Sequence, residues 1–440
     1  MSEGAAIASE LWTIATFRGG FNATLVIAGT SLLGLAAGVI GVFALLRKRS
    51  LVADALAHAT LPGVALAFLV SAALGGDGRS LPALLAGAAA TGALGVACVQ
   101  ALLRYTRLHE DAAIGIVLSV FFGAGVVGLS YIQANASAGS AGLTGLIFGQ
   151  AATMRPSDVA LMGVVATVGV LGALLLLKEF TLVCFNDDFA RVQGWPVSLI
   201  DGLMMALVVL ATVAGLQAVG LILVVALLIV PPVAARFWTE RVWVLVALAG
   251  LIGALSGYLG AVASAALPRK PAGAVIVLAA GAIFAISLLA APRRGVIASA
   301  WRRARLRLRI AGEHLLEAAH DRGVDVIEPG EIAAVARERG WPRAARIFVA
   351  WSLVRRGDAR RERRGALRLT PRGIDRGRRV ARNHALWEQY LVSYADVAPS
   401  HVDWSVDQVE HVLSEELVAE LESRLASLGR PAPAAPGGAR

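Results

Sequence analysis

Nine long apolar stretches dominate the chain up to residue 291. Each approaches the roughly 20 residues that a helix needs to cross a bilayer. They cover residues 21–46, 57–75, 82–103, 113–133, 157–177, 196–216, 219–237, 242–265 and 272–291. Only 16% of all residues are charged, which excludes an ordinary soluble domain, where about a quarter are. Because lipid offers backbone polar groups no water, we predict an all-α polytopic membrane protein with eight or nine spans.

Basic residues between these stretches predict the orientation. The clusters are Arg47 to Arg49, Arg104 with Arg107, Lys178 with Arg191, Arg236 with Arg241, and Arg293 with Arg294. Cytoplasmic loops are enriched in arginine and lysine, so nine crossings would put the N-terminus outside the plasma membrane and the C-terminus in the cytoplasm. Residues 1–20 lack a signal-peptide pattern and are expected to stay as an extracytoplasmic or interfacial segment. Residues 142–153 are too short to cross and predict an interfacial or re-entrant helix.

An aspartate and a histidine follow the first basic cluster. On a helix, Asp54 and His58 would share one face, with their Cβ atoms about 5–6 Å apart. A carboxylate at a bilayer centre costs about 2.5–3.5 kcal/mol, so its presence needs a reason. Carboxylate oxygen and imidazole nitrogen together suit Mn²⁺, Fe²⁺ or Zn²⁺. The pair indicates either a metal site on a transport path or a helix cap in a wet cytoplasmic turn.

Two further features stand out among the apolar stretches. Pro231 and Pro232 remove two backbone donors, which predicts a kinked or broken helix, or simply the end of a span. Residues 185–196 form an isolated polar loop that ends in Gly-Trp-Pro. This loop predicts a short helix that docks on a partner, or an ordinary solvated connection.

The chain changes character after residue 297. Residues 298–309 form a basic juxtamembrane linker, which anionic membrane lipid would attract. Residues 310–428 predict a cytoplasmic domain, with helical patterns at 310–321, 329–339 and 342–356 before an arginine-rich hairpin at 358–370. This is the element order of a winged helix followed by further helices. Residues 429–440, rich in Pro, Ala and Gly, predict a disordered tail.

The segment RKRSLVADALAHATLPGVALAFL, residues 47–69, resembles the signature of the ABC-3 permeases for manganese, zinc and iron. Residues 219–236 resemble a second stretch of that family, and the likeness implies a transmembrane permease domain at 21–297. It implies that Asp54 and His58 handle the transported metal, and the resemblance of the tail described below favours Mn²⁺ or Fe²⁺ over Zn²⁺. It also makes the loop a coupling helix that contacts an ATPase, with Asp187, Asp188, Phe189 and Arg191 as contacts, and leaves Pro231 and Pro232 as a gating kink.

The same resemblance implies partners rather than an enzyme activity. The chain contains no phosphate-cradling G-x-x-x-x-G-K-[ST] loop, so energy would come from a separate ABC ATPase subunit. An extracytoplasmic metal-binding protein would deliver the ion. A homodimer, or a pair with a homologous permease, would enclose the path, and no permanently bound cofactor is expected.

The tail resembles a different family, the iron- and manganese-dependent repressors of the diphtheria-toxin-repressor class. The likeness lies at residues 369–373, 382–391 and 406–414. It implies a regulatory metal site and a dimerising domain. By position, the ligands would be His314, Glu317, His384, Asp407, Glu410 and His411. Our preferred hypothesis is a metal-sensing tail that controls transport, with no role in nucleic-acid binding.

Two alternatives remain open at this point. The chain could be a membrane-tethered, metal-responsive DNA-binding regulator whose spans only detect metal. It could instead be a permease for a metal chelate such as a siderophore. An intramembrane metalloprotease is disfavoured, because the chain has no H-E-x-x-H motif.

Overall fold

The computed structural model describes residues 12–47, 50–75, 81–135, 154–266, 271–394 and 415–427. The chain divides into two compact units, Met1–Ala298 and Ser299–Arg440. The predicted helix at 142–153 and the predicted tail at 429–440 lie outside the described residues.

The first unit is helical throughout its described length. Its helices are α1 Phe21–Leu46, α2 Ser50–Ala59, α3 Leu61–Ala73, α4 Leu81–Tyr105, α5 Glu110–Asn135, α6 Pro156–Leu175, α7 Leu177–Phe185, α8 Asp187–Val192, α9 Val197–Val219, α10 Leu221–Arg236, α11 Val242–Ala266 and α12 Ala272–Ala290. Eight segments of the described residues are long and apolar enough to cross a membrane, one of them running through α2 and α3 from Asp54 to Ala73. The prediction of an all-α polytopic membrane protein with eight or nine spans is confirmed.

The seventh predicted stretch, residues 219–237, is shorter than a full span. It forms the 16-residue helix α10, whereas a crossing needs about 20 residues. Gly220, with φ of +86°, separates α10 from α9. Since the orientation argument depends on nine crossings, the placement of the termini stays a prediction.

Helix α1 is the centre of this unit and packs against α6, α9, α10 and α11. Three of its glycines lie directly against neighbouring backbone. A Cβ atom added at Gly34 would lie 2.1 Å from the carbonyl oxygen of Gly253, and one at Gly38 would lie 2.3 Å from that of Ala249. Small residues therefore allow α1 and α11 to approach closely.

We expect Gly34→Ala to destabilise the permease unit by about 1–3 kcal/mol, because the new methyl group must push two helix backbones apart. The thermal midpoint of the purified protein in detergent should fall accordingly. Gly281→Ala is the matched control, since a Cβ there meets nothing within 4 Å. Equal midpoints for the two variants would contradict the packing.

The second unit combines helices with a small sheet. Its elements are α13 Val296–Asp321, β1 Val326–Ile327, α14 Pro329–Glu338, α15 Arg343–Arg356, β2 Ala359–Arg361, β3 Leu367–Leu369, α16 Pro371–Tyr394 and α17 Glu415–Ser427. The strands are antiparallel in the order β1-β3-β2. Three helices followed by a hairpin is the predicted order. Strand β1 was not predicted, because two residues carry no periodicity.

A separate apolar core holds this unit together. Leu315 and Leu316 of α13 meet Leu353 of α15 and Leu367 of β3. Each of these four side chains is about 1% exposed. Helix α13 therefore presents one side to this core, which leaves its arginines on the other sides.

Candidate functional site

Helix α2 carries the predicted metal pair. His58 Nε2 lies 3.5 Å from Asp54 Oδ1, and the two side chains are 22% and 35% exposed. The helix packs against α4, α5, α9 and α10, so its neighbours shield much of the pair. One helical turn thus brings Asp54 and His58 together as the spacing predicts.

The imidazole of His58 sits in an unusual environment. Its ring meets Phe122 of α5 edge to face, with 4.8 Å between centroids. Its Nδ1 atom is buried and has no hydrogen-bond partner in the described part of the chain. A buried polar atom left unpaired costs about 1–3 kcal/mol. A metal ion bound at Nδ1 would remove that cost.

Pro62 lies just after the pair, in the first turn of helix α3. A proline has no N–H to donate to the carbonyl four residues earlier, which here is the carbonyl of His58. Helix α2 ends at Ala59 and α3 begins at Leu61, so the helix is interrupted just after His58.

The predicted coupling loop forms the short helix α8. Asn186 caps it, its Oδ1 accepting the N–H of Phe189 at 2.9 Å. Ala190 is fully buried against the bundle, whereas Phe189 and Val192 are 48% and 86% exposed. Asp188 and Arg191 are exposed as well, and Arg191 lies 3.7 Å from both Asp187 and Asp188. The helix thus presents a mixed apolar and charged face that suits docking on a partner.

An ion-pair network behind α8 was not predicted. The guanidinium of Arg47, at the end of α1, donates to Asp201 Oδ1 of α9 and to the carbonyl of Val183 in α7, each at 3.1 Å. It also lies 3.7 Å from Asp187. Arg47 and Asp201 are only 14% and 9% exposed. This network ties α8 to α1, α7 and α9.

The proline pair does not break its helix. Helix α10 is continuous through Pro231 and Pro232, so the predicted break is absent, although a gating role stays a prediction. Pro232 cannot donate to the carbonyl of Leu228. A Cβ at Gly41 would lie 2.0 Å from that oxygen. Helix α1 therefore packs closely against α10 at the carbonyl of Leu228, which receives no hydrogen bond from Pro232.

Three of the six predicted regulatory ligands meet in the second unit. Glu317 of α13 lies between two imidazoles: its Oε1 is 3.2 Å from Nδ1 of His384, and its Oε2 is 3.6 Å from Nδ1 of His314. They line a cavity of about 340 Å³. The other three, Asp407, Glu410 and His411, lie outside the described residues.

Electrostatics keep Glu317 ionised. Burial alone would raise the pKa of this carboxyl, but the adjacent imidazoles of His314 and His384 outweigh it and lower the pKa to about 2. Nearby, burial and the charge of Glu317 raise the pKa of Asp321. The cavity therefore holds one firmly negative carboxylate between two imidazoles.

This donor set suits a first-row divalent metal in its chemistry. Ligands about 2.1 Å from one ion lie about 3 Å apart, and two nitrogens with a carboxylate suit Mn²⁺, Fe²⁺ or Zn²⁺. Within the described residues, however, no group of three His, Cys, Asp or Glu side chains is arranged to hold an ion. The set fits part of a site, which needs donors from elsewhere in the chain.

Comparison with known families decides the identity of the first unit. Residues 22–291 match the ABC 3 transport family. The chain belongs to the ABC 3 transport family. Residues 370–431 match a second family, described as the iron dependent repressor, metal binding and dimerisation domain.

Known proteins resemble this ABC 3 chain over most or about two thirds of its length. The manganese transport system membrane protein MntC of Bacillus subtilis is 38% identical over 92% of this chain and 91% of its own. The zinc transport system membrane protein TroC of Treponema pallidum is 45% identical over 64% of this chain and 93% of its own. The solved structure of PsaBC from Streptococcus pneumoniae, in complex with Fab, matches with a TM-score of 0.55 and 29% identity, over 69% of this chain and 99% of that one.

The matched region of this ABC 3 permease contains every residue predicted for the path and for coupling. It also contains Arg47, Asp201 and Phe122, which sequence reasoning did not assign to a site. Asp201 had a usable signal, because a single acid in an apolar helix requires a partner. Phe122 had none, since an aromatic residue in an apolar span is ordinary.

Proposed function

We propose that this chain is the membrane permease subunit of an ABC importer for a divalent transition-metal ion, with Mn²⁺ as the favoured cargo. The observation that carries the proposal is the half-buried Asp54–His58 pair, in a chain that belongs to a family of transport permeases. The Nδ1 atom of His58 is buried and has no hydrogen-bond partner in the described residues. Oxygen and nitrogen donors of this kind suit Mn²⁺ and Zn²⁺.

The relatives support this choice of cargo. MntC, which resembles this chain over both units, is named for manganese, and TroC, which resembles mainly the first unit, is named for zinc. The tail matches an iron dependent repressor domain, which keeps Fe²⁺ among the candidates. A chelate has no comparable support, because a carboxylate and an imidazole bind a bare cation.

In the proposed mechanism the ion is the substrate, and the pair holds it briefly. Asp54 supplies negative charge and His58 a neutral nitrogen, so these two donors can replace water molecules that the ion loses as it enters the apolar bundle. Two donors from one chain bind weakly, which suits release. A second permease, either a copy of this chain or a homologue, would complete the path, and an extracytoplasmic metal-binding protein would deliver the ion.

Energy would enter through α8. Its exposed Phe189 and Val192, with Asp188 and Arg191 beside them, suit a groove on a separate ATPase. The network from Arg47 to Asp187 and Asp201 would carry movement of α8 into α1 and α9. In this proposal α8 and the second unit lie in the cytoplasm, and the basic clusters of the sequence support that orientation.

The second unit would act as a metal-sensing tail. His314, Glu317 and His384 would hold the ion, with Asp407, Glu410 and His411 as the remaining donors. DNA binding is less well supported, because α15, the helix that reads DNA in winged-helix proteins, exposes Ile347, Phe348 and Trp351 by more than half. Arg355 of the same helix stacks on Trp351 at 5.0 Å.

The cargo is tested by uptake into a strain that lacks the chain, carrying it again together with its ATPase and binding protein. We expect radiolabelled Mn²⁺ to accumulate, with Zn²⁺ and Fe²⁺ as weaker competitors. Control cells carry an ATPase that cannot hydrolyse ATP. Saturable uptake of a ferric siderophore, with no uptake of free ions, would contradict the proposal.

A further inference from the structure

Six arginines of the second unit converge on one cleft of about 560 Å³. Three come from α13, one from the end of α15 and two from the start of α16. They are Arg302, Arg305, Arg309, Arg356, Arg372 and Arg376. Three separate elements thus bring guanidinium groups together that repel one another when no anion lies between them.

Two buried carboxylates account for part of this charge. Arg376 donates to Glu313 at 2.7 Å and to Asp358 at 3.2 Å. Arg309 also pairs with Glu313, and Arg372 lies 3.7 Å from Asp358. Among the described residues, these two carboxylates pair with three of the six arginines, Arg309, Arg372 and Arg376.

Two of the arginines stand apart from these pairs. Neither Arg305 nor Arg356 has a salt-bridge partner among the described residues. Arg356 is also half-buried, and burial, followed by the charge of Arg376, lowers the pKa of its guanidinium. A charged group held in this position would be stabilised by a ligand of opposite charge.

We propose that this cleft binds a phosphate-bearing anion, either a free polyphosphate or the headgroup of an anionic lipid. Guanidinium groups bind phosphate through paired N–H donors in a fixed fork, and such charge-assisted bonds are stronger than neutral ones. The cleft is far larger than the roughly 30 Å³ that one water occupies, so a diphosphate fits. Binding would lock α13, α15 and α16 together at the base of the tail.

Both sources of phosphate can reach this position. Helix α13 begins at Val296, and five residues of chain separate it from Ala290, the end of the last apolar helix. Lipid headgroups are therefore close along the chain. The cleft is also on the unit predicted to be cytoplasmic, where free polyphosphates occur, so the test needs one probe for each source.

The test is calorimetric titration of the full-length protein in a neutral detergent at fixed salt. The probes are inorganic pyrophosphate and dioctanoyl phosphatidylglycerol, with dioctanoyl phosphatidylcholine as the lipid control. We expect saturable binding of at least one anion. The double variant Arg305→Ala, Arg356→Ala should weaken it about tenfold or more. These two arginines are chosen because their loss leaves neither Glu313 nor Asp358 unpaired.

The matched control is Arg303→Ala with Arg307→Ala. Both residues are exposed on α13, and replacing them removes the same charge as the first double variant. They do not line the cleft, so binding should change less than about twofold. Preference for pyrophosphate would identify a free ligand, and preference for the phosphoglycerol lipid would identify a headgroup. The proposal is overturned if neither probe binds, if both double variants lose binding equally, or if only duplex DNA binds in a way that depends on Arg305 and Arg356.

Discussion

Replacing Asp54 or His58 by alanine is expected to abolish most Mn²⁺ uptake while the protein still reaches the membrane. Changes in the residues that only support metal ligands already cost about 10–100-fold in metal affinity, so the loss of a direct donor should cost at least as much. The fold should tolerate both changes, since neither side chain is fully buried. Initial rates of radiolabelled Mn²⁺ uptake, normalised to protein in the membrane, measure the effect.

The chain offers two matched controls for this prediction. His109 and Asp111 have the same side-chain chemistry at the start of α5, and both are exposed. His109→Ala and Asp111→Ala should leave uptake within about twofold of the unaltered protein. Normal uptake by both Asp54→Ala and His58→Ala would remove the proposed ion path.

The second large effect is expected at the network behind α8. Removing one member of a buried ion pair leaves an uncompensated charge and costs about 3–5 kcal/mol. Arg47→Ala and Asp201→Ala should each lower the thermal midpoint strongly, and the complex that still assembles with the separate ATPase should hydrolyse ATP without transporting metal. Differential scanning fluorimetry and ATPase assays of the reconstituted complex measure the two effects.

An exposed pair on the same loop serves as the control. Arg191 and Asp188 are 63% and 89% exposed and lie 3.7 Å apart, and exposed pairs contribute about 0–1 kcal/mol. Asp188→Ala should therefore leave the midpoint nearly unchanged. The double variant Arg47→Met, Asp201→Leu should recover stability but not coupling. If it recovers both, the network is structural only.

Local patterns in the sequence predict much of this fold. The apolar stretches place the long helices to within a few residues, and the order of three helices and a hairpin in the tail appears as predicted. Glycines of α1 indicate close helix packing because only glycine allows such an approach. These features depend on neighbours along the chain, which a sequence displays directly.

Long-range contacts were harder to predict. Arg47 was counted only as a basic residue that sets orientation, yet it bonds to Asp201, 154 positions away. Arg302, Arg305 and Arg309 were predicted only as part of a basic linker, whereas folding brings them together with three arginines of α15 and α16 in one cleft. The proline pair predicts a break, but packing of Gly41 against α10 accompanies a continuous helix. Side-chain geometry across helices decides each of these.

The most direct test of the account detects the imidazole bound to the ion. Residues 1–298 form one compact unit and contain only two histidines, His58 and His109. We would record pulsed electron paramagnetic resonance of Mn²⁺ bound to this truncated permease carrying His109→Gln. The account predicts nitrogen modulation from one imidazole, lost on adding His58→Gln. Modulation that survives the loss of His58, or bound Mn²⁺ without any modulation, would contradict it.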